Sequence, residues 1–306
     1  MDTACPFRDR WNIVLSAVFL VGSLRAELLL DAALSTPDTL IAVGGRGTIR
    51  HSSDDGRTWE AVTSVPYSTY TGVTMALDQP SHGWAVGHGG IILATSDAGA
   101  RWRQVYQAPG IDPSFLDVLA LDARHIIAVG AFGLYVESHD AGASWKTRLI
   151  LDEDMHLNRI SRATDGTLYL AGESGTLLRS SDRGITWDSR GTGYEGSFYG
   201  VLPLAEAHSV LAYGLRGTVY RSMDRGETWT AIETGTTALL QAAALLADGT
   251  VILAGQALTL LISHNDGRSF TPSNDGPDGA LAELMATPTG RLLGFGENDA
   301  TILATR

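Results

Sequence analysis

A glycine that closes a short apolar run recurs as Gly44, Gly87, Gly130, Gly172, Gly214, Gly255 and Gly296. The intervals are 43, 43, 42, 42, 41 and 41 residues. A period of this size rules out one irregular core. Each unit is too small to bury its own apolar face, so successive units must pack on one another. A second signature follows eight residues after each glycine. In the first copy it reads Ser52-Ser53-Asp54-Asp55-Gly56-Arg57-Thr58-Trp59. Later copies place Asp97 and Trp102, Asp140 and Trp145, Asp182 and Trp187, and Asp224 and Trp229 at the same points. The sixth has decayed to Asn265 and Phe270, and the seventh meets the C-terminus at Ala304–Arg306.

The signature has a structural rationale. Ser and Asp side chains can accept backbone amides of a tight turn, and the glycine tolerates the positive φ such a turn needs. The aromatic residue then starts the next strand and packs into the core. This pattern, Ser-x-Asp-x-Gly-x-Thr-Trp, is the Asp box. One aspartate per repeat keeps these carboxylates apart, which argues against a shared catalytic or metal set. Around the box, each repeat reads as four short strands rich in Val, Ile and Leu, with no helical period. In the third repeat, Phe115–Leu121, His125–Val129, Leu134–Ser138 and Ser144–Leu149 are expected to be strands A to D. Seven such units predict an all-β, seven-bladed β-propeller over residues 27–306. The last repeat stops within its third strand, so the last blade is expected to be incomplete, with closure resting on packing between blades one and seven.

Residues 1–26 are expected to be a signal peptide. Arg8 and Arg10 precede an apolar run from Trp11 to Leu24, which is too short to span a bilayer. The chain is thus expected to be exported, periplasmic or extracellular and open to membrane association, without being transmembrane itself. Its only cysteine, Cys5, precedes the apolar run and would leave with it. The formal net charge of −12 and the lack of a basic cluster exclude nucleic acid as a main partner.

The pattern resembles the photosystem II stability and assembly factor family of BNR/Asp-box propellers. The marks are the repeated Gly-x-x-Gly after strand B and the string Gly83-Trp84-Ala85-Val86-Gly87-His88-Gly89-Gly90 before a box. The sequence departs from the pattern at Asn265, Phe270, Leu258 and Asp299. The resemblance implies a non-enzymatic scaffold or assembly factor serving a membrane protein complex or transporter. Photosynthetic members act in the lumen on reaction-centre subunits, and similar exported propellers occur in non-photosynthetic bacteria. The resemblance carries the family's arginine patch over only to Arg46 and Arg216.

On a propeller, function usually sits on the face away from the Asp-box turns. The B–C loops of that face differ between blades and offer Arg46, His88, Phe132, Glu173, Arg216 and Glu297. The D–A loops add the aromatic candidates Tyr70, Phe115, Phe198 and Tyr199 as protein-binding anchors. The acidic run Asp152-Glu153-Asp154 reads as a solvated turn. Strand A is expected to project a channel ring of Asp31, Asp117, Arg159, Gln241 and Glu283, with Arg159 paired or exposed. The partner is expected to be a membrane protein or its assembly intermediate, bound by a monomer. No cofactor is implied, and the eight histidines show no metal-ligand spacing.

Sialidase-like and other glycoside hydrolases also carry Asp boxes. They need paired carboxylates beside an arginine cluster, whereas only Arg46, Arg159 and Arg216 look placed for the functional face. No nucleophile elbow or phosphate loop is present. A protein-binding platform without catalytic residues is therefore the preferred reading. Such a platform is expected to show a broad aromatic and charged rim with no converging acids.

Overall fold

The computed structural model describes residues 27–63, 66–110, 112–273, 276 and 278–303. The expected signal peptide lies outside them. Seven antiparallel sheets follow one another along the chain, six with four strands and one with three. The innermost strands A are Leu29–Thr36, Tyr70–Met75, Phe115–Ala120, Leu157–Arg162, Phe198–Pro203, Leu240–Leu245 and Leu281–Ala286. Strand B pairs with A, and C with B. The outer strand D is two residues long in five blades and runs Arg103–Gln107 in the second. Blade seven ends with Asp299–Leu303 as its third strand, so it is the incomplete blade among the described residues.

The recurrent glycine has a direct cause. Strand A bulges one residue after its start in every blade, for instance between Leu29 and Asp31. The bulge brings the preceding carbonyl against the end of strand B. A Cβ on Gly44 would lie 1.9 Å from the Leu28 carbonyl oxygen, and one on Gly255 would lie 1.8 Å from that of Leu239. No side chain fits there.

Fully buried strands B, such as Ile126–Gly130, read as continuous apolar runs because both faces are covered by neighbouring blades. One apolar cluster fills each of the seven junctions. Ile41 and Val43 of blade one meet Val73 and Ala85 of blade two, and Ile127 and Val129 of blade three meet Ile160 and Leu170 of blade four. Each Asp-box aromatic residue packs on the preceding blade. Trp102 joins the junction of blades one and two, and Phe270 that of blades five and six.

The ring closes by face packing. Leu29, Ala32, Leu40 and Ala42 of blade one bury against Leu293 and Phe295 of blade seven. Trp59 meets Phe295 edge-on, with ring centroids 5.7 Å apart. Two ion pairs span the seam. Asp55 faces Arg291 at 2.7 Å, and the buried Arg50 reaches Asp299 at 3.7 Å and Glu27 at 3.7 Å.

Candidate functional site

Antiparallel blades place the A–B and Asp-box turns on one face of the ring and the B–C and D–A loops on the other. The Asp boxes behave as turns throughout. In the first, the Thr58 amide donates to Asp54 Oδ1 at 2.9 Å, the Thr58 hydroxyl to Oδ2 at 2.7 Å, and the Gly56 amide to Ser52 Oγ at 3.0 Å. These bonds hold Asp54, Asp140 and Asp182 at about 2. The sixth box keeps the geometry with Asn265, whose Oδ1 accepts from the Ser269 amide at 3.0 Å while Nδ2 donates to Ser269 Oγ at 2.9 Å. Loss of the charge has not lost the turn.

Strand A projects a ring into the channel. Asp31, Gly72, Asp117, Arg159, Gly200, Ala242 and Glu283 occupy equivalent register positions. Gln241 is therefore a correction. It sits on the bulge one residue earlier, beside Thr71 and Asn158 in register, and all three donate to the carbonyl of the next blade. Gln241 reaches Leu281 at 2.9 Å, Thr71 reaches Phe115 at 2.9 Å and Asn158 reaches Phe198 at 2.8 Å. Ala242 holds the channel position and is fully buried.

Arg159 is paired, with its side chain 21 % exposed. It hydrogen-bonds Glu283 and lies 3.6 Å from Asp31 and 4.0 Å from Asp117. The aspartates also accept amides from the next blade, Val73 to Asp31 at 2.7 Å and Ile160 to Asp117 at 2.9 Å. Gly200 leaves room for Tyr213, whose hydroxyl would be 2.2 Å from a Cβ there. Burial pushes the Asp31, Asp117 and Glu283 carboxyls above their ordinary range against the pull of Arg159, and pushes the Tyr213 hydroxyl up to about 12. Beside this cluster a cavity of about 350 Å³ runs along the later halves of strands A, past Leu34, Met75, Leu119 and Leu202. It extends toward the Asp-box face. The expectation that a platform shows no converging acids is not met. The acids do converge, but on a single guanidinium and on backbone amides.

The loop face differs from the sequence reading in its aromatic residues. Tyr70, Phe115 and Phe198 are fully buried and cannot anchor a partner. They open strand A at the position where Leu29, Leu157, Leu240 and Leu281 stand in other blades, and they face the inter-blade clusters. Phe115 packs near Tyr106 and Phe198 near Tyr194. Tyr199 is half-buried. Glu173 is spent locally, its Oε2 accepting the His156 amide at 2.8 Å. Glu297 accepts the Ala280 amide at 3.2 Å.

Arg46, Phe132 and Arg216 remain at the tips of B–C loops on blades one, three and five. All three are exposed, and their φ values of 56°, 55° and 59° are left-handed. A non-glycine residue there costs about 1–2 kcal/mol. Arg46 and Arg216 form no ion pair among the described residues. Phe132 is 69 % exposed and touches His156 edge-on at 4.8 Å. His88 is exposed beside them, and Tyr67 and Leu258 extend the apolar part of this face. The run 152–154 is exposed, as a solvated turn would be. A surface depression of about 610 Å³ lies on the opposite face between blades four and five. Its charges are mutually paired, Arg225 with Asp165 at 3.0 Å and Arg179 with Glu227 at 2.9 Å.

Sequence spacing hid one further group. Pairing of Ile126 with Ser138 sets His125 across from His139, with Glu137 on the same face of the sheet. Among the described residues, no helix is long and apolar enough to cross a membrane.

Residues 107–252 match the family model of the photosynthesis system II assembly factor YCF48. No curated protein matches the chain. Among solved structures, YCF48 bound to D1 peptide is similar with a TM-score of 0.77 at 19 % identity, covering 92 % of this chain and 95 % of that one. YCF48 from Cyanidioschyzon merolae gives 0.74 at 16 %, covering 92 % and 96 %. The WD40 β-propeller domain of Doa1 gives 0.72 at 12 %, covering 92 % and 94 %. At such identities these structures share the fold with this chain, and a fold hosts many roles. The sequence match supplies what the fold cannot: residues 107–252 carry the repeats of the photosystem II assembly factor-like, YCF48-type family, and the whole chain shares the fold of its solved members.

Proposed function

We propose that this chain is an exported, non-enzymatic docking platform. It holds a segment of a membrane protein, or of its assembly intermediate, on the B–C loop face. The observation that carries the reading is the trio Arg46, Phe132 and Arg216. Two guanidiniums without ion partners among the described residues and one exposed aromatic ring share a face of an otherwise acidic protein. Exposed charge and an exposed aromatic ring at loop tips fit recognition better than stability. A similar propeller has been solved with a D1 peptide, which supports a protein segment as the ligand here. The apolar run Trp11–Leu24 supports export, and a monomer suffices for the task.

The test is capture from detergent-solubilised native membranes. The wild type recovers a membrane-protein partner, and Arg46→Glu/Arg216→Glu loses most of it while remaining folded. Equal recovery by both proteins removes this face from the account.

A hydrolase reading draws on the convergence of Asp31, Asp117 and Glu283 in the channel. Their engagement with Arg159 and with backbone amides leaves no free acid beside an arginine cluster, which glycoside hydrolysis would need. Hydrolysis of fluorogenic sialosides or glucosides that is abolished by Asp117→Asn would establish the enzyme and displace the platform.

A further inference from the structure

Blade three carries a group of side chains that neither the propeller nor the loop face uses. His125 stands just before strand B (Ile126–Gly130), and His139 just after strand C (Tyr135–Ser138). The register sets them across from one another, with Glu137 beside His139 on the same face. A ring nitrogen of each histidine and a carboxylate oxygen of Glu137 lie within 4.8 Å of one another. The imidazole centroids lie 4.1 Å apart, with the rings tilted by 36°.

His125 is only 7 % exposed, and its Nε2 is buried with no hydrogen-bond partner among the described residues. An orphaned ring nitrogen at that depth costs about 1–3 kcal/mol unless something meets it. His125 is fixed from behind by its own amide, which donates to Asp122 Oδ1 at 2.8 Å. Glu137 is fixed by Arg148, which takes Oε2 at 3.0 Å and leaves Oε1 toward His139 Nε2 at 3.7 Å. Arg148 also donates to the carbonyls of Gly184 and Ile185, in the Asp box of blade four. His125 and Glu137 are thus oriented, and His139, with 57 % of its side chain exposed, opens the group to water.

We propose that His125, Glu137 and His139 form a binding site for one borderline divalent transition metal ion, with zinc as the reference case. Two imidazoles and one carboxylate suit zinc, nickel or copper, whereas calcium and magnesium want oxygen donors throughout. Solvent supplies the fourth position. Arg148 and Lys146, the cross-strand neighbour of Glu137, keep the site poor in negative charge, which further disfavours the hard cations. A bound ion ties strand B to strand C where the Asp box of blade four docks, so it stiffens the junction of blades three and four.

The test is calorimetric titration of the full chain, stripped with chelator, with zinc chloride alone. One saturable equivalent is expected, together with a rise in thermal midpoint. His139→Ala and Glu137→Gln should each weaken binding at least tenfold, while His51→Gln binds as the wild type does. His139 is exposed, so its loss leaves a folded protein, checked by circular dichroism. Copper(II) in the same site should show superhyperfine coupling to two imidazole nitrogens. Absence of saturable binding, unchanged binding by His139→Ala, or coupling to fewer than two nitrogens overturns the proposal.

Discussion

Arg159 on blade four donates a charge-assisted hydrogen bond to Glu283 on blade seven, across the centre of the ring. This contact joins blades that are not neighbours in sequence. It sits among three carboxylates, so the charges do not balance locally.

The imbalance gives a pH-dependent prediction. The Asp31, Asp117 and Glu283 carboxyls are raised by burial, so the folded ring binds protons more readily than the unfolded chain does. The electrostatic cost is therefore largest above the folded values and shrinks as the pH falls toward the ordinary carboxylate range. Arg159→Met should lower the unfolding free energy by about 3 kcal/mol at pH 7.5 and by clearly less at pH 5, read by urea denaturation. Asp31→Asn keeps an acceptor for the Val73 amide and removes one excess charge, so it should change stability by less than about 1 kcal/mol. A pH-independent deficit for Arg159→Met contradicts this reading.

The Asp boxes titrate the opposite way. Hydrogen bonds from Thr58 and Ser52 hold Asp54 at about 2, below its unfolded value. The stability they contribute is present above the unfolded value and is lost as the pH falls through about 2. Carboxyl resonances followed by NMR should show Asp54, Asp140 and Asp182 among the last to protonate on acidification, together with Asp165. Asp54→Asn should be milder than Asp54→Ala, because Asn265 already closes the same turn in blade six.

The seam should be the first junction to open. Blade seven has three strands among the described residues, and Phe295 is wholly buried under Trp59. Phe295→Ala should cost about 3–5 kcal/mol. In the wild type, hydrogen exchange should be faster in Leu292–Gly296 than in the equivalent Ile126–Gly130 of blade three. Equal protection of the two strands would show that closure is not the weak point.

Most of this architecture is legible in the sequence, because repetition specifies it. Seven glycines mark seven bulges, and the box turns each third strand into a fourth. Sequence misleads where a residue's chemistry is read without its place in the repeat. Tyr70, Phe115 and Phe198 look like binding aromatics on their own, yet leucine fills the same position in four other blades, and that marks a core site. Ala242, and not Gln241, faces the channel because the bulge breaks the two-residue alternation of strand A. The His125–His139 pair was invisible because antiparallel register, rather than linear spacing, brings it together.

Leu258 offers a local check on loop strain. It has a φ of 56° where Gly47, Gly133, Gly175 and Gly217 stand in other blades, and it is 53 % exposed. Leu258→Gly should therefore stabilise the protein by about 1 kcal/mol, seen as a higher thermal midpoint. A lower midpoint would mean that this leucine contributes packing that its exposure conceals.

The platform account is tested most directly by site-specific photo-cross-linking in native membranes. A photoreactive residue at position 132 probes the B–C loop face, and one at position 185, in the exposed Asp-box turn of blade four, probes the opposite face. The account predicts a discrete cross-link to a membrane-protein segment from position 132 and none from position 185. Cross-linking from position 185 alone, or from neither, would contradict it.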